Sequence, residues 1–310
     1  MQTNVNSPQY RFDFLKYRFI SVAFSVVLMF VGVITYVVKG GFSYHIDFTG
    51  GAEIRILFEK PVKISELRDV IGKKGWKDAI IQDIETGKKE FIIKIKDLDT
   101  GLENKIKTVL AEKFSDNTVK INSVDWVGAE VGTDTKWNAI KAVILSLIVL
   151  LLYIAIRSEF RFAVGAVSAL LHDVLMVLVF LLFTGELISL HVLASVLAVL
   201  GYSLNDTIVI FSRIRENLKK MKGMSDYDVV NLSINQTLKR TILTSVSTFL
   251  SVLAILILGG EALRGLSIIL ALGIVVGTYS SIYIASAGML AINSPEKASL
   301  KNEFLGVPKN

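Results

Sequence analysis

The chain has 310 residues, 52% of them hydrophobic and 20% charged, with a formal net charge of +6. So apolar a composition, gathered into blocks, excludes an ordinary soluble domain and points to a membrane protein with one polar insertion. The basic excess is no nucleic-acid signature, because many Lys and Arg residues flank apolar runs and set topology, and with no cysteine there is no disulfide, thiolate nucleophile or Cys-ligated metal.

Residues 1–18 read as a cytoplasmic N-terminus. FISVAFSVVLMFVGVITYVV (19–38) is an uncharged run of twenty residues, long enough to cross about 30 Å of hydrocarbon. It is too long for a signal-peptide core and lacks a small-residue cleavage site after it, so it reads as a retained first span.

Residues 42–127 carry a different pattern. AEIRILFE (52–59) alternates as a strand, and ISELRDVIGKKG (64–75) is an amphipathic helix. Strands at 78–84 and 90–96 flank the turn ETGKK. A second helix (102–114) and a last strand (118–127) complete the order β-α-β-β-α-β, the ferredoxin-like arrangement. This segment shows no phosphate loop and no metal-ligand spacing. A binding or docking module fits it better than an enzyme.

Five more apolar runs follow, at about 139–156, 162–183, 190–212, 240–258 and 266–291, before a tail at 292–310. The fold class is therefore an α-helical membrane protein of six spans, with an α+β domain between spans one and two. Lys and Arg alternate between connections. Arg11, Lys16 and Arg18 precede span one; Arg157 and Arg161 follow span two; six basic residues lie between spans four and five; Lys297 and Lys301 follow span six. Both termini are expected in the cytoplasm and the insertion outside.

Polar residues interrupt the spans. Span three holds His172 and Asp173, span four Asn205 and Asp206, and span five opens with Arg240. Thr244, Ser247 and Ser251 follow Arg240 on one helical face. A carboxylate inside a bilayer costs about 2.5 kcal/mol or more, and such groups are functional by default. By helical rise, Asp206 lies about 7 Å and Arg240 about 14 Å to the cytoplasmic side of mid-bilayer. A long Arg side chain can close that gap, so the two are paired as a proton relay to which Asn205, Asp173 and His172 also belong. Two readings stand for each accessory group. Arg240 is a relay partner or an interfacial charge; His172–Asp173 is a relay or a packing pair; the Ser/Thr stripe is an ion path or helix-packing glue. Gly50 and Gly51 form a joint or a plain turn below the first strand. Gly273, Gly277 and Ser281 present a small face for helix packing.

Taken together, IDFTGG, VGAEVG, HDV, SLNDTIVIFSRIREN, LKRTILTS, GGEALRG and GTYSSIYIAS resemble the SecD/SecF protein-export family of the RND transporter superfamily over nearly the whole chain. The resemblance implies the smaller, SecF-like subunit, half of a twelve-helix unit with SecD. Such a unit uses the proton motive force to help draw preproteins out of the SecYEG channel after the SecA motor. It implies Asp206 and Arg240 as proton-transfer residues, no cofactor, H⁺ as coupling ion with Na⁺ as the alternative, and as further partners YajC, the translocating preprotein and the lipid bilayer. A half-size RND-type exporter of small molecules or lipids is the alternative. An intramembrane aspartyl protease using Asp173 and Asp206 is disfavoured, because no Gly-x-Gly-Asp segment is present.

Overall fold

The computed structural model describes residues 11–77, 79–84, 89–99, 101–157 and 159–292, without the side chains at 157, 261 and 262. Most of the expected turn at 85–89, and the tail after 292, lie outside the described residues.

After a short 3-10 turn, Leu15–Tyr17, the first long helix is α1 (Arg18–Lys39). The insertion then runs α2 (Ile46–Thr49), β1 (Gly51–Phe58), α3 (Ile64–Lys73), β2 (Ile80–Asp83), β3 (Glu90–Ile95), α4 (Leu102–Lys113) and β4 (Val119–Val127). Five long helices follow: α5 (Ala129–Arg157), α6 (Phe160–Thr184), α7 (Leu190–Lys220), α8 (Asp226–Leu258) and α9 (Gly260–Ala291). Among the described residues six helices are long and apolar enough to cross a membrane, and they fall on the six apolar runs of the sequence.

Three of these helices outrun the apolar stretches that mark them. α5 begins ten residues before 139, α7 continues to Lys220, and α8 starts at Asp226 rather than 240. The reason is that charge ends a membrane span but not a helix. Lys, Arg, Glu and Gln are good helix formers in water. The extensions of α7 and α8 also bind each other: Arg213 donates to Gln236 at 2.6 Å, and Asn217 to Ser233 at 2.8 Å. Ser225 caps α8 by accepting from the Asp228 amide.

α6, α7 and α9 form the interior of the bundle, while α1, α5 and α8 leave most of their apolar surface outward. Leu170, Leu200, Leu204, Ile282 and Ala285 belong to the main buried cluster between the three inner helices. Helix α9 approaches α7 through glycine. A β-carbon at Gly273 would lie 2.0 Å from Val199, and one at Gly277 would lie 3.0 Å from the Ser203 β-carbon.

The insertion is a four-stranded antiparallel sheet in the order β2-β3-β1-β4. Period-2 alternation sends Ala52, Ile54, Ile56 and Phe58 of β1 to one face. There they meet Leu67 and Ile71 of α3, and Leu102, Ile106 and Leu110 of α4. Each such buried side chain contributes about 1.5–3 kcal/mol of transfer free energy. The other face carries Glu53, Arg55 and Lys94 and turns toward the α6–α7 connection. A cavity of about 330 Å³ lies between them, also lined by His45, Glu186 and His191.

Two attachments hold the sheet unit to the helices. On one side, Tyr44 pairs with Ile188; the His45 amide donates to the Ile188 carbonyl, and the Ile188 amide to the Ser43 carbonyl, each at 2.9 Å. Asp47 adds a carboxylate at the start of α7, accepting from the Leu190 amide at 3.0 Å. On the other side, IDFTGG meets VGAEVG. Gly50 and Gly51 have φ of 72° and 139°, angles that favour glycine. A β-carbon on Gly50 would lie 2.7 Å from the Ala129 α-carbon, and one on Gly132 would lie 2.6 Å from the Gly50 nitrogen. The two ends of the insertion thus leave the membrane half as one close backbone contact.

Candidate functional site

The two buried intramembrane carboxylates are each the centre of a hydrogen-bonded site, and the sites meet α7 about one turn apart, at Ser203 and Asp206. The first is centred on Asp173, which is 0% exposed. Its Oδ2 accepts from the Ser203 hydroxyl of α7 at 2.5 Å, and its Oδ1 lies 3.1 Å from His172 Nδ1. The other ring nitrogen of His172 meets Ser25 Oγ of α1 at 2.9 Å. Ser25 is 3.4 Å from the Tyr279 hydroxyl of α9, which donates to the Ser21 carbonyl at 2.8 Å. Four helices therefore converge on one carboxylate through hydroxyls and an imidazole. Charged groups so deep persist only when hydrogen-bonded, and here both carboxylate oxygens are engaged.

The second site is centred on Asp206, 3% exposed. Its Oδ2 accepts from Ser245 of α8 at a long 3.4 Å, and Ser245 lies 2.7 Å from Thr278 Oγ1 of α9. Among the described residues no cation forms an ion pair with it. Arg240 is exposed on α8 and makes no ion pair with Asp206, although its charge is near enough to act on the carboxylate. The residue adjoining Asp206 in the chain, Asn205, is also exposed and points away from it.

The stripe on α8 is present as a face but looks outward. Arg240, Ser247 and Ser251 are exposed and Thr244 is half-buried. The Thr244 and Ser251 hydroxyls donate to carbonyls of their own helix, at 3.0 Å to Arg240 and Ser247 respectively. This is the local back-bonding that Ser and Thr make when no neighbour is offered. The inward face of α8 is instead Thr241, Ser245 and Val252. Gly273 and Gly277 sit against α7, and Ser281 is buried, donating to the Thr278 carbonyl.

Sequence reasoning singled out both carboxylates but not Ser25, Ser203, Tyr279, Ser245 or Thr278. A serine within an apolar run carries little signal by itself. Asp173 and Asp206 share no hydrogen-bond partner, so the paired-carboxylate geometry that a protease needs is not formed. Among the described residues no group of His, Asp and Glu is arranged to hold a metal.

Comparison with known proteins accords with this architecture. A family described as "Protein export membrane protein SecD/SecF, C-terminal" matches residues 105–294. The chain is 39% identical over 284 residues to protein translocase subunit SecF of Thermodesulfovibrio yellowstonii, covering 90% of this chain and 94% of the relative. It is 33% identical over 297 residues to the protein of that description from Escherichia coli O157:H7, covering 94% and 91%. The solved structure of SecDF, a translocon-associated membrane protein from Thermus thermophilus, superposes with a TM-score of 0.80 at 36% identity. That match covers 92% of this chain but 39% of the longer solved chain. By sequence over nearly its whole length, and by fold, the chain belongs to the SecD/SecF family of protein export membrane proteins.

Proposed function

We propose that this chain is the SecF-like subunit of a SecD–SecF unit that uses the proton motive force to assist preprotein export through the SecYEG channel. In this reading the sheet unit is a ferredoxin-like domain on the extracytoplasmic side, and both termini are cytoplasmic. The alternation of basic connections supports that orientation.

The observation that carries the proposal is Asp206: a buried carboxylate held by one long hydroxyl contact, with its nearest cation on an outward face. Such a group can gain or lose a proton without dismantling a built network. Arg240, Ser247, Ser251 and Asn205 then face the position where the second half of the unit packs, and the stripe lines that seam. A proton crossing inward gains about 2.3 kcal/mol per 100 mV, enough to bias two conformations a few kcal/mol apart.

The test is late-stage export in inverted vesicles with ΔpH and Δψ collapsed separately, which also distinguishes H⁺ from Na⁺ coupling. Asp206→Asn should assemble with SecD yet lose stimulation by the gradient, while ATP-driven translocation persists. A variant that still responds fully to the gradient overturns the mechanism. Failure to co-purify with SecD and SecY overturns the assignment and favours an exporter of small molecules or lipids.

A further inference from the structure

We propose that His172 and Asp173 form a second proton-holding site, whose occupancy sets how α1, and through it the sheet unit, is held against the bundle. The proposal rests on the proton-driven reading above but concerns a different site, with its own reader.

The geometry accommodates two protonation states, the second closed by one longer contact. In the neutral imidazole, Nδ1–H donates to Asp173 at 3.1 Å, and Nε2 accepts from the Ser25 hydroxyl at 2.9 Å. A proton added at Nε2 turns that nitrogen into a donor. Ser25 Oγ then accepts it, and the Ser25 hydrogen is free to rotate toward the Tyr279 oxygen 3.4 Å away. That oxygen can receive it, because the Tyr279 hydrogen is already used on the Ser21 carbonyl. Ser203 stays bound to Asp173 in both states. One hydroxyl rotation therefore absorbs the proton, and no polar atom of the cluster is orphaned. The ionisable groups that meet the imidazole are Asp173 on its own helix and Tyr279, whose ring lies 5.9 Å away on α9. α1 and α7 present only the hydroxyls of Ser25 and Ser203. Asp206 is engaged separately with Ser245.

The hydroxyl that rotates belongs to α1, which makes it the reader. α1 is exposed along most of its length; in the helix, Ser25 and Gly32 are its buried residues. Gly32 abuts Val179 of α6, where a β-carbon would lie 2.5 Å from Cγ2. At the far end Lys39 donates to the Leu182 carbonyl at 2.5 Å. These contacts run along α6, with the polar ones, Ser25–His172 and Lys39–Leu182, at the two ends. α1 leads directly into α2 and β1, so a change in its seating is transmitted to the sheet unit.

The experiment uses the full chain with its SecD-type partner in lipid bilayers, with ring-¹⁵N histidine. The chain has three histidines, so His172→Gln identifies the His172 signals by loss. As the pH is raised, both ring nitrogens of His172 should pass from the imidazolium to the neutral pattern. Asp173→Asn should move that midpoint by about one pH unit or more, as loss of a neighbouring carboxylate does. Asp206→Asn should leave it in place. Because there is no native cysteine, spin labels at Val37→Cys and Phe183→Cys report the α1–α6 distance. It should change over the same pH interval and become invariant in Ser25→Ala, which leaves His172 and Asp173 intact. A His172 signal that keeps one protonation state throughout, or a label distance indifferent to pH, overturns the proposal. Loss of gradient coupling in Asp206→Asn tests the parent reading and leaves these two readouts unaffected.

Discussion

Asp173 and Asp206 are both carboxylates buried in membrane helices, but their surroundings differ. Asp173 is enclosed by groups from α1, α6, α7 and α9, and both of its oxygens have short contacts. Asp206 sits at the α7–α8 side of the bundle, held by one hydroxyl at 3.4 Å, with the nearest cation facing away. A fully satisfied buried network keeps its carboxylate engaged even while the neighbouring imidazole takes up or releases a proton, whereas a sparsely bonded group leaves its charge to be answered from elsewhere. Burial alone therefore does not separate a structural carboxylate from a mobile charge. The number and quality of its hydrogen bonds do.

The sharpest way to break this comparison is to neutralise each carboxylate in turn. Asp206→Asn should reduce gradient-stimulated export to the level seen without a gradient, at a stability cost of about 0.6 kcal/mol or less, the average for a polar contact between membrane helices. Asp173→Ala should invert the balance. It leaves the Ser203 hydroxyl and one His172 nitrogen without acceptors, at about 1–3 kcal/mol for each buried group so stranded. Gradient stimulation should fall only in part once corrected for folded protein. Vesicle export read beside denaturant unfolding of the purified chain checks both. Equal stability losses in the two variants would contradict the difference drawn here.

Glycine packing sharpens the comparison from the other side, because α9 sets how closely α7 can bring Ser203 to Asp173. Gly273→Ala places a methyl 2.0 Å from Val199. Overpacking of this kind costs about 1–3 kcal/mol. Val199→Ala in the same chain should restore most of the loss, a non-additivity measurable by a double-mutant cycle. Gly277→Ala meets Ser203 at 3.0 Å, a softer clash, and should cost less. It should act through the Asp173 network, so the His172 signals should shift while Asp206-dependent coupling survives.

The parts that were legible in the sequence follow local rules. The six apolar runs, the alternation of β1 and the glycine pattern of α9 depend on spacing within one element. Both carboxylates were legible as well, because an acid in an apolar run stands out. The seating of each helix was not. A membrane helix is apolar on every side, so its sequence does not say which side meets a neighbour and which meets lipid or a second subunit. The stripe from Arg240 to Ser251 is a true helical face, but it turned out to be the outward one; Thr241 and Ser245 are inward. Asn205 and Asp206 adjoin in sequence and diverge in space for the same reason. Ser25 was invisible because its partner lies 147 residues away. The lengths of α7 and α8 were underread because the charged residues that close a span were taken to close the helix.

Asp47 provides the control, a third carboxylate of the same chain, outside the membrane helices and half-buried. Partial burial pushes its carboxyl up, but hydrogen bonds from His45 and the Leu190 amide outweigh this and hold it below its ordinary value. That value is about 3.9 in an unfolded chain. A depressed folded pKa means that the contact contributes its full stability above the unfolded value and loses it as pH falls through the folded one. The Asp47 contact to α7 should therefore be constant from neutral pH down to about pH 5 and weaken only below about 4. Its position suits a carboxylate, since the first turn of α7 presents amides that Ser189 and Asp47 share and a helix N-terminus favours negative charge. Asp47→Ala should lose about 1 kcal/mol, as for a lost helix cap, and should speed hydrogen exchange at the Leu190 amide about fivefold, the exchange equivalent of that energy. Asp47→Asn retains an acceptor for that amide and should recover most of the protection while losing the contribution of charge. The effect is the smallest of the set and should be local to the start of α7, with no change in gradient coupling. If Asp47→Asn abolished coupling as Asp206→Asn is expected to do, the division between holding and carrying carboxylates would have to be redrawn around the outer attachment.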